Sequence, residues 1–365
     1  MVFHLALAFT LLYVALFCVF IIGILRLKRP RGGSEEPTVS VVVAARNEEQ
    51  IIHRALDSLA KIDYPTEKLE VILVDDQSTD HTYEVMKSFA TRHSHFKPIR
   101  VTSQIGHLRG KANAIAHGID HSQGEMIFLT DADCVVQSSW VRATVNHYTE
   151  DTGLVAGFTL LESKNWFGGM QSLDWAFLLA LGAGGVGLKK PLSCFGNNLT
   201  FLRKAYDQVG GYQNIPFSVT EDFALFTAIT RGTNWGYSYV ITPEALVTSQ
   251  PCGTLKELFH QKQRWAIGGL GLKLKGFLLM GLGVSVNILL LVTPFLGLAP
   301  LSVLSLWIPR VVIDALLLTI PLKRLRRLSI LKFFPFFEVY YFLYVLALPF
   351  ILLSGNKVVW KGREF

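Results

Sequence analysis

The chain is short of cysteine and of charge. Its four cysteines, Cys18, Cys134, Cys194 and Cys252, are scattered over 365 residues with no CxxC pair. That excludes a disulfide framework and a cysteine zinc site, and it agrees with a reducing cytoplasm. Charged residues make up only 17% of the sequence. No internal repeat or low-complexity tract is visible, which excludes a repeat architecture. What the chain has instead is apolar bulk: 50% hydrophobic residues and a mean hydropathy of +0.36, too apolar for an ordinary soluble protein and suited to a membrane-attached one.

The excess apolar residues sit at the two ends. Leu5 to Leu25 is an uncharged run of bilayer length, followed by Arg26, Lys28, Arg29 and Arg31. No small-residue cleavage site follows, so the run is expected to be an uncleaved anchor. Phe277 to Ile308 carries no charge and is too long for one straight span. Divided near Gly297 to Pro300, it predicts helices over 277–297 and 301–322, with a last one over 333–353. Lys323, Arg324, Arg326, Arg327 and Lys332 lie between the last two. The excess of cations on cytoplasmic loops puts this segment and the Arg26–Arg31 cluster inside. One span before the polar region and three after it place that region in the cytoplasm. Lys357, Lys361 and Arg363 then fall outside, against the rule, unless one C-terminal helix lies in the interface. The expected division is an anchor at 1–26, a soluble domain at 35–270 and apolar helices at 271–356. The net charge of +7 comes largely from the flanking clusters and suits anionic lipid headgroups better than nucleic acid.

Between the ends, strands alternate with helices. Val39 to Ala45 is a β-branched run of buried-strand character, closed by Arg46, Asn47, Glu48 and Glu49. Val71 to Val74 follows, closed by Asp75, Asp76, Gln77, Ser78, Thr79 and Asp80, with Asp80 placed to cap a helix to about Arg92. A short strand is expected at Ile99 to Thr102, and a helix opening on Gly110-Lys111-Ala112-Asn113-Ala114. Met126 to Thr130 then delivers Asp131 and Asp133. This alternation predicts an α/β fold with a doubly wound, mostly parallel sheet. Each polar cluster falls at a strand's C-terminal end, where such sheets bind ligands. Side chains at i and i+2 of a strand point the same way, so Asp131 and Asp133 can face one divalent cation such as Mg2+ or Mn2+.

The ordered set AARNEE (44–49), VDDQSTD (74–80), GKANA (110–114) and TDAD (130–133) resembles the nucleotide-sugar half of an inverting family 2 glycosyltransferase with a GT-A fold, a Rossmann-like mixed sheet. Gly196-Asn197-Asn198 resembles its acceptor-side loop, Thr220-Glu221-Asp222 its TED motif, and Gln261-Lys262-Gln263-Arg264-Trp265 its QxxRW motif. The resemblance covers about 39–265 and implies the following roles. Asp75 or Asp76 would bond the uracil or ribose of a UDP-sugar, beside Ala45 and Glu48, and Lys111 would meet the diphosphate. Asp131 and Asp133 would hold nucleotide and metal, with Asp133 the stronger candidate for direct ligand. Asp222 would be the general base, and Gln261, Arg264 and Trp265 would form a platform near the donor. Relatives acting on polyprenyl phosphate often carry Gln where this chain has Val135, which counts against that acceptor class. Similar architecture occurs in ceramide and carotenoid-type glucosyltransferases and in processive hyaluronan, chitin and poly-N-acetylglucosamine synthases. About four spans and no long loop after QxxRW favour a lipid acceptor over a growing glycan. A homo-oligomer or a small membrane partner would be needed to complete a polymer channel.

Three further expectations concern the apolar segments. Trp166 to Leu188 is expected to be an interfacial segment or a packed core helix rather than a fifth span, because Asp174 and its glycines weaken the span reading. Arg310 and Asp314 are spaced to neutralise each other inside a span, while Glu338 has no partner legible from spacing. An inner prokaryotic membrane is the expected location.

Overall fold

A computed structural model describes residues 1–27, 36–269, 274–353, 359–360 and 363–364. Lys28, Arg29, Arg31, Lys357 and Lys361 lie outside these, as does the side chain of Arg363. The elements run α1 (Val2–Arg26), β1 (Val39–Ala45), α2 (Ile52–Leu59), β2 (Leu69–Asp75), α3 (Thr82–Ala90), β3 (Phe96–Arg100), α4 (Gly110–Asp120), β4 (Met126–Asp131), α5 (Trp140–Val145), β5 (Thr152–Gly157) and β6 (Thr159–Leu161). They continue through α6 (Trp166–Gly187), β7 (Leu199–Leu202), α7 (Arg203–Gln208), α8 (Glu221–Gly232), β8 (Gly236–Val240), β9 (Val247–Ser249), α9 (Leu255–Gly269), α10 (Leu274–Val292), α11 (Pro300–Arg324) and α12 (Phe334–Leu353).

Seven strands form a mixed sheet in the order β3-β2-β1-β4-β7-β5-β8. β3, β2, β1 and β4 are parallel, and β7 is antiparallel to both its neighbours. The parallel half is buried on both faces, as the unbroken β-branched runs require. Val39, Val41 and Val43 point into a core with α2 and α3, while Val42, Ile72 and Val74 point into a second core shared with α4 and the apolar helices. β3 lies about three residues earlier than Ile99–Thr102, because Pro98 and Arg100 are accepted at the sheet edge, where β3 pairs with β2 alone.

Four described helices are long and apolar enough to cross a membrane: Val2–Arg26, Leu278–Leu296, Pro300–Arg324 and Leu328–Ile351. These are the expected four, and the break between the second and third falls at Gly297, whose φ of +64° ends one helix before Pro300 opens the next. Trp166–Leu188 follows the packed-helix reading and not the interfacial one. α6 has 17 of its 22 residues buried and lies against α1, α11 and α12. Its glycines permit the approach: a Cβ on Gly23 of α1 would sit 2.1 Å from the Gly184 carbonyl oxygen.

The charges within the apolar bundle are joined. Arg310 bonds Glu338 across α11 and α12 and lies 3.4 Å from Asp314, while the Tyr13 hydroxyl of α1 donates to Asp314 at 2.8 Å. Glu338 therefore has a partner, invisible to spacing because it comes from another helix.

Candidate active site

The loops after β1 and β2 are laced into one wall. Asn47 and Gln77 both adopt positive φ, at 53° and 55°, which turns each chain sharply back over the sheet end. Arg46 Nη1 donates to the Asp76 carbonyl at 2.7 Å, the Glu48 amide donates to Thr82 Oγ1 at 2.8 Å, and the Thr79 amide donates to Asn47 Oδ1 at 2.9 Å. The cap residue of α3 is His81 and not the expected Asp80, which lies one residue earlier and accepts the Thr82 amide at 3.0 Å. Ala45, Glu48 and Asp76 thereby line a cavity of about 280 Å³. Asp75 does not line it. Its carboxylate is fully buried, 2.8 Å from Arg100 Nε, and accepts the Ser78 amide at 3.2 Å. Alternation along β2 sends it into the turn and sheet, so of the pair named from sequence only Asp76 reaches the cavity.

Asp131 and Asp133 lie at the end of β4 and both line the cavity. Their carboxylates and the Cys134 thiol present donor atoms within 4.8 Å of one another. Cys134 is 1% exposed, and burial, reinforced by the charges of Asp133 and Asp131, pushes its thiol well above the ordinary range. It does not line the cavity, as Asp131 and Asp133 do. The donors that remain are hard carboxylate oxygens, which suit Mg2+ or Mn2+. Asp133 also accepts the Ser249 hydroxyl at 2.9 Å, so β9 fixes its orientation.

Lys111, in the first turn of α4, bridges two motifs. Its ammonium lies 2.6 Å from Asp131 and 3.2 Å from Glu221. Burial opposes its charge, yet the carboxylates of Asp131 and Glu221 outweigh burial and hold it well above the ordinary lysine range. It is no solvated surface lysine.

Glu221 and Asp222 open α8, where the helix dipole favours negative charge. The structure separates them. Glu221 faces Lys111, whereas Asp222 accepts the Phe223 amide at 2.8 Å and the Gly196 amide at 2.6 Å. Burial and then repulsion from Glu221 push the Asp222 carboxyl up to about 6, against the pull of Lys111. Gly196 is required by this contact, since a Cβ there would lie 2.7 Å from the Asp222 Cβ. Gly196 and Asn197 line the cavity, while Asn198 is buried scaffold: it accepts the Trp140 indole N–H and donates to the Phe158 and Ala245 carbonyls.

Gln261, Arg264 and Trp265 on α9 line the far wall. Trp265 packs on Phe195 and Trp175, with ring centroids 5.2 and 5.6 Å away. Between the motif residues, Lys262 turns away from the cavity and bonds Asp174 of α6, the two side chains being 2% and 1% exposed. It also lies over the rings of Trp265 and of Tyr344 on α12, at 4.2 and 5.2 Å. Lys262, Asp174, Trp175, Ser249, Arg109 and Phe217 are site residues to which spacing assigned no role. Only Lys262 sat inside a recognised motif.

Comparisons with known proteins agree with this geometry. The family model described as glycosyl transferase family 2 matches residues 40–212. A beta-monoglucosyldiacylglycerol synthase of Synechocystis is 30% identical over 241 residues, 64% of this chain and 48% of that protein. A poly-beta-1,6-N-acetyl-D-glucosamine synthase of Staphylococcus epidermidis is 26% identical over 66% of this chain and 56% of that protein. The chain spans about half the length of the curated relatives it matches. Among solved structures, a mannosyltransferase of Pyrobaculum calidifontis, in complex with GDP-Man and Mn2+, superposes with a TM-score of 0.58 at 18% identity, covering 97% of this chain and 100% of that one. The fold is thus GT-A.

Proposed function

Because the glycosyl transferase family 2 model matches residues 40–212, we propose that the protein is an inverting, membrane-bound hexosyltransferase of that family that moves a sugar from a UDP-sugar to a hydroxyl of a lipid acceptor. One observation carries the reading. The acidic pair Asp131/Asp133 and the separately held carboxylate Asp222 line one cavity, and the cavity's α9 wall is locked through Lys262 onto α6 and onto the apolar helix α12. A site built this way offers a donor end and an acceptor end beside a bilayer.

In this reading Ala45, Glu48 and Asp76 receive the nucleoside, and Lys111 and Arg264 face the diphosphate. Asp131 and Asp133 would hold Mg2+ or Mn2+, which when bound offsets the negative charge of the leaving diphosphate. Asp222 takes the proton of the acceptor hydroxyl as that oxygen bonds to the anomeric carbon from the face opposite the leaving group. The bond from that carbon to the diphosphate oxygen breaks, and its electron pair departs with the nucleoside diphosphate. A base with a pKa near the working pH suits this role, and the value of about 6 supports Asp222 over Glu221, whose charge is matched by Lys111. Trp265, Trp175 and Phe195 offer an apolar wall to the acceptor.

The catalytic domain is assigned to 35–270, between an anchor at 1–26 and apolar helices at 271–356. It faces the cytoplasm, with the basic residues around Lys323 and Arg324 on the same side, in the inner membrane of a prokaryote. A processive synthase is the second reading, favoured by the poly-N-acetylglucosamine synthase relative. Purified protein in membrane lipid extract, given labelled UDP-glucose, UDP-galactose or UDP-N-acetylglucosamine with Mn2+, separates the two. Label entering the organic phase as one species supports the lipid reading, and label held in a glycosidase-sensitive polymer overturns it.

A further inference from the structure

Asn197 leaves one polar atom unused beside the reacting groups. The residue is 4% exposed and lines the cavity. One end of its amide is fixed from behind: the Thr159 hydroxyl, itself buried, donates to Asn197 Oδ1 at 2.8 Å. The Nδ2 end has no partner among the described residues, yet it is not one of the unpartnered atoms sealed from solvent. The surface it keeps therefore opens onto the cavity that the residue lines. Buried polar groups are ordinarily paired, so a fixed donor in this position calls for an acceptor on a ligand. Its neighbours show which part of a ligand it meets. The preceding amide, of Gly196, donates to Asp222 at 2.6 Å. On the other side, Thr159 belongs to β6, whose Leu161 pairs with Ser249 of β9, and the Ser249 hydroxyl donates to Asp133 at 2.9 Å. The amide is thereby tied both to the carboxylate assigned to the acceptor's proton and to the acidic pair assigned to the metal. In an inverting displacement the anomeric carbon occupies the interval between those groups, and the hydroxyl nearest to it is the one on C2.

We propose that Asn197 is a donor-specificity residue whose Nδ2 donates to the 2-oxygen of the transferred sugar. This deepens the proposed function and rests on its UDP-sugar donor. The residue then selects a sugar with a free 2-hydroxyl over one carrying an acetamido group there, because the acetamido nitrogen presents a donor where the site needs an acceptor. A fixed donor discriminates strongly, since a sugar without the matching oxygen leaves the N–H unpaired.

The experiment measures donor kcat/KM with Mn2+ and membrane lipid extract for UDP-glucose, UDP-galactose, the 2-deoxy counterpart of each, and UDP-N-acetylglucosamine. For the hexose that it transfers, the wild type should use the 2-deoxy donor about 10- to 100-fold less well. Asn197→Ala should bring the parent donor down to about the level of the 2-deoxy donor and cause no further loss on the latter. Binding of UDP alone should be unchanged, because UDP carries no sugar, and it reports that the variant is folded. Should Asn197→Ala fail to bind UDP, Asn197→Ser makes the same comparison. A wild type that uses the 2-deoxy donor as well as its parent overturns the proposal without recourse to any variant. A variant that loses the same factor on both donors, or on neither, shows that Asn197 does not read the 2-oxygen, and the proposal likewise falls. Preference for UDP-N-acetylglucosamine over both hexoses overturns it and leaves the UDP-sugar reading intact. Transfer from none of the donors overturns that reading itself, and this inference with it.

Discussion

Asp222→Asn tests the chemistry most directly. The substitution keeps the size of the side chain and removes its ability to take a proton. One carboxylate oxygen accepts the Phe223 amide and the other the Gly196 amide. The amide group of Asn can accept only one of these, so one backbone N–H is left without its acceptor at a cost of about 1–3 kcal/mol. Against that, the variant relieves a buried charge that burial and Glu221 both disfavour. The fold should therefore survive, with a melting temperature at pH 7.5 no lower than wild type by more than a few degrees. General-base catalysis contributes about 10²- to 10⁴-fold, and kcat should fall by that factor while UDP binding, measured by calorimetry with Mn2+, is retained. The pH dependence follows from the same group. Its pKa is raised to about 6, so the base is present above that pH and is lost as pH falls through it. At pH 5 about a tenth of the sites would be ionised, and log kcat should drop by one unit for each pH unit below. The stability term has the opposite sense: a carboxyl that binds its proton more tightly when folded stabilises the fold at low pH, and this contribution fades as pH rises from about 4 to about 6. An Asp222→Asn enzyme within ten-fold of wild type, or a wild-type profile flat from pH 5 to 8, would refute the assignment.

Other substitutions probe the supporting geometry. Gly196→Ala places a Cβ 2.7 Å from the Asp222 Cβ and should cut transfer at least 100-fold while UDP binding persists; normal turnover would show that the loop yields freely. Asp133→Ala should abolish the Mn2+-dependent component of UDP binding, and chelation of wild type should reproduce that loss; unchanged metal dependence would remove Asp133 from the site. Asp174→Leu leaves Lys262 charged and without its hydrogen-bond partner at 2% exposure and should cost about 3–5 kcal/mol of stability, whereas Asp174→Leu with Lys262→Met should recover much of it. Thermal unfolding in detergent reads both, and equal losses in single and double variants would argue against a buried pair.

The parallel half of the sheet was legible because its strands are buried on both faces, so Val39–Ala45 and Met126–Asp131 stand out as unbroken apolar runs with polar clusters at their ends. The apolar helices were legible for a similar reason. Burial in lipid needs a long uncharged stretch, and in Gly297-Leu298-Ala299-Pro300 the glycine takes the left-handed φ that ends one helix and the proline the N-terminal position that opens the next. Asp131 and Asp133 could be named from their spacing at a strand end, whereas Asp222 and the Gln261–Trp265 segment could be named only through the resemblance to family 2 glycosyltransferases, whose motifs are runs of a few consecutive residues. β7 and the antiparallel pairings, by contrast, depend on which strands become neighbours, and Leu199–Leu202 is too short to announce that.

The sequence by itself determined the parallel strands β1, β2 and β4, the order of the polar clusters and the four apolar helices, since these follow from local burial and backbone chemistry. Tertiary structure alone decided the rest. It sent Asp75 to Arg100 and Asp76 to the cavity, joined Lys111 to Asp131 and Glu221, gave Glu338 its Arg310, and set Lys262 against Asp174. Each of these pairings joins residues 20 or more positions apart in sequence, and the free energy of a buried charge depends on the partner that packing brings to it, which no local pattern encodes.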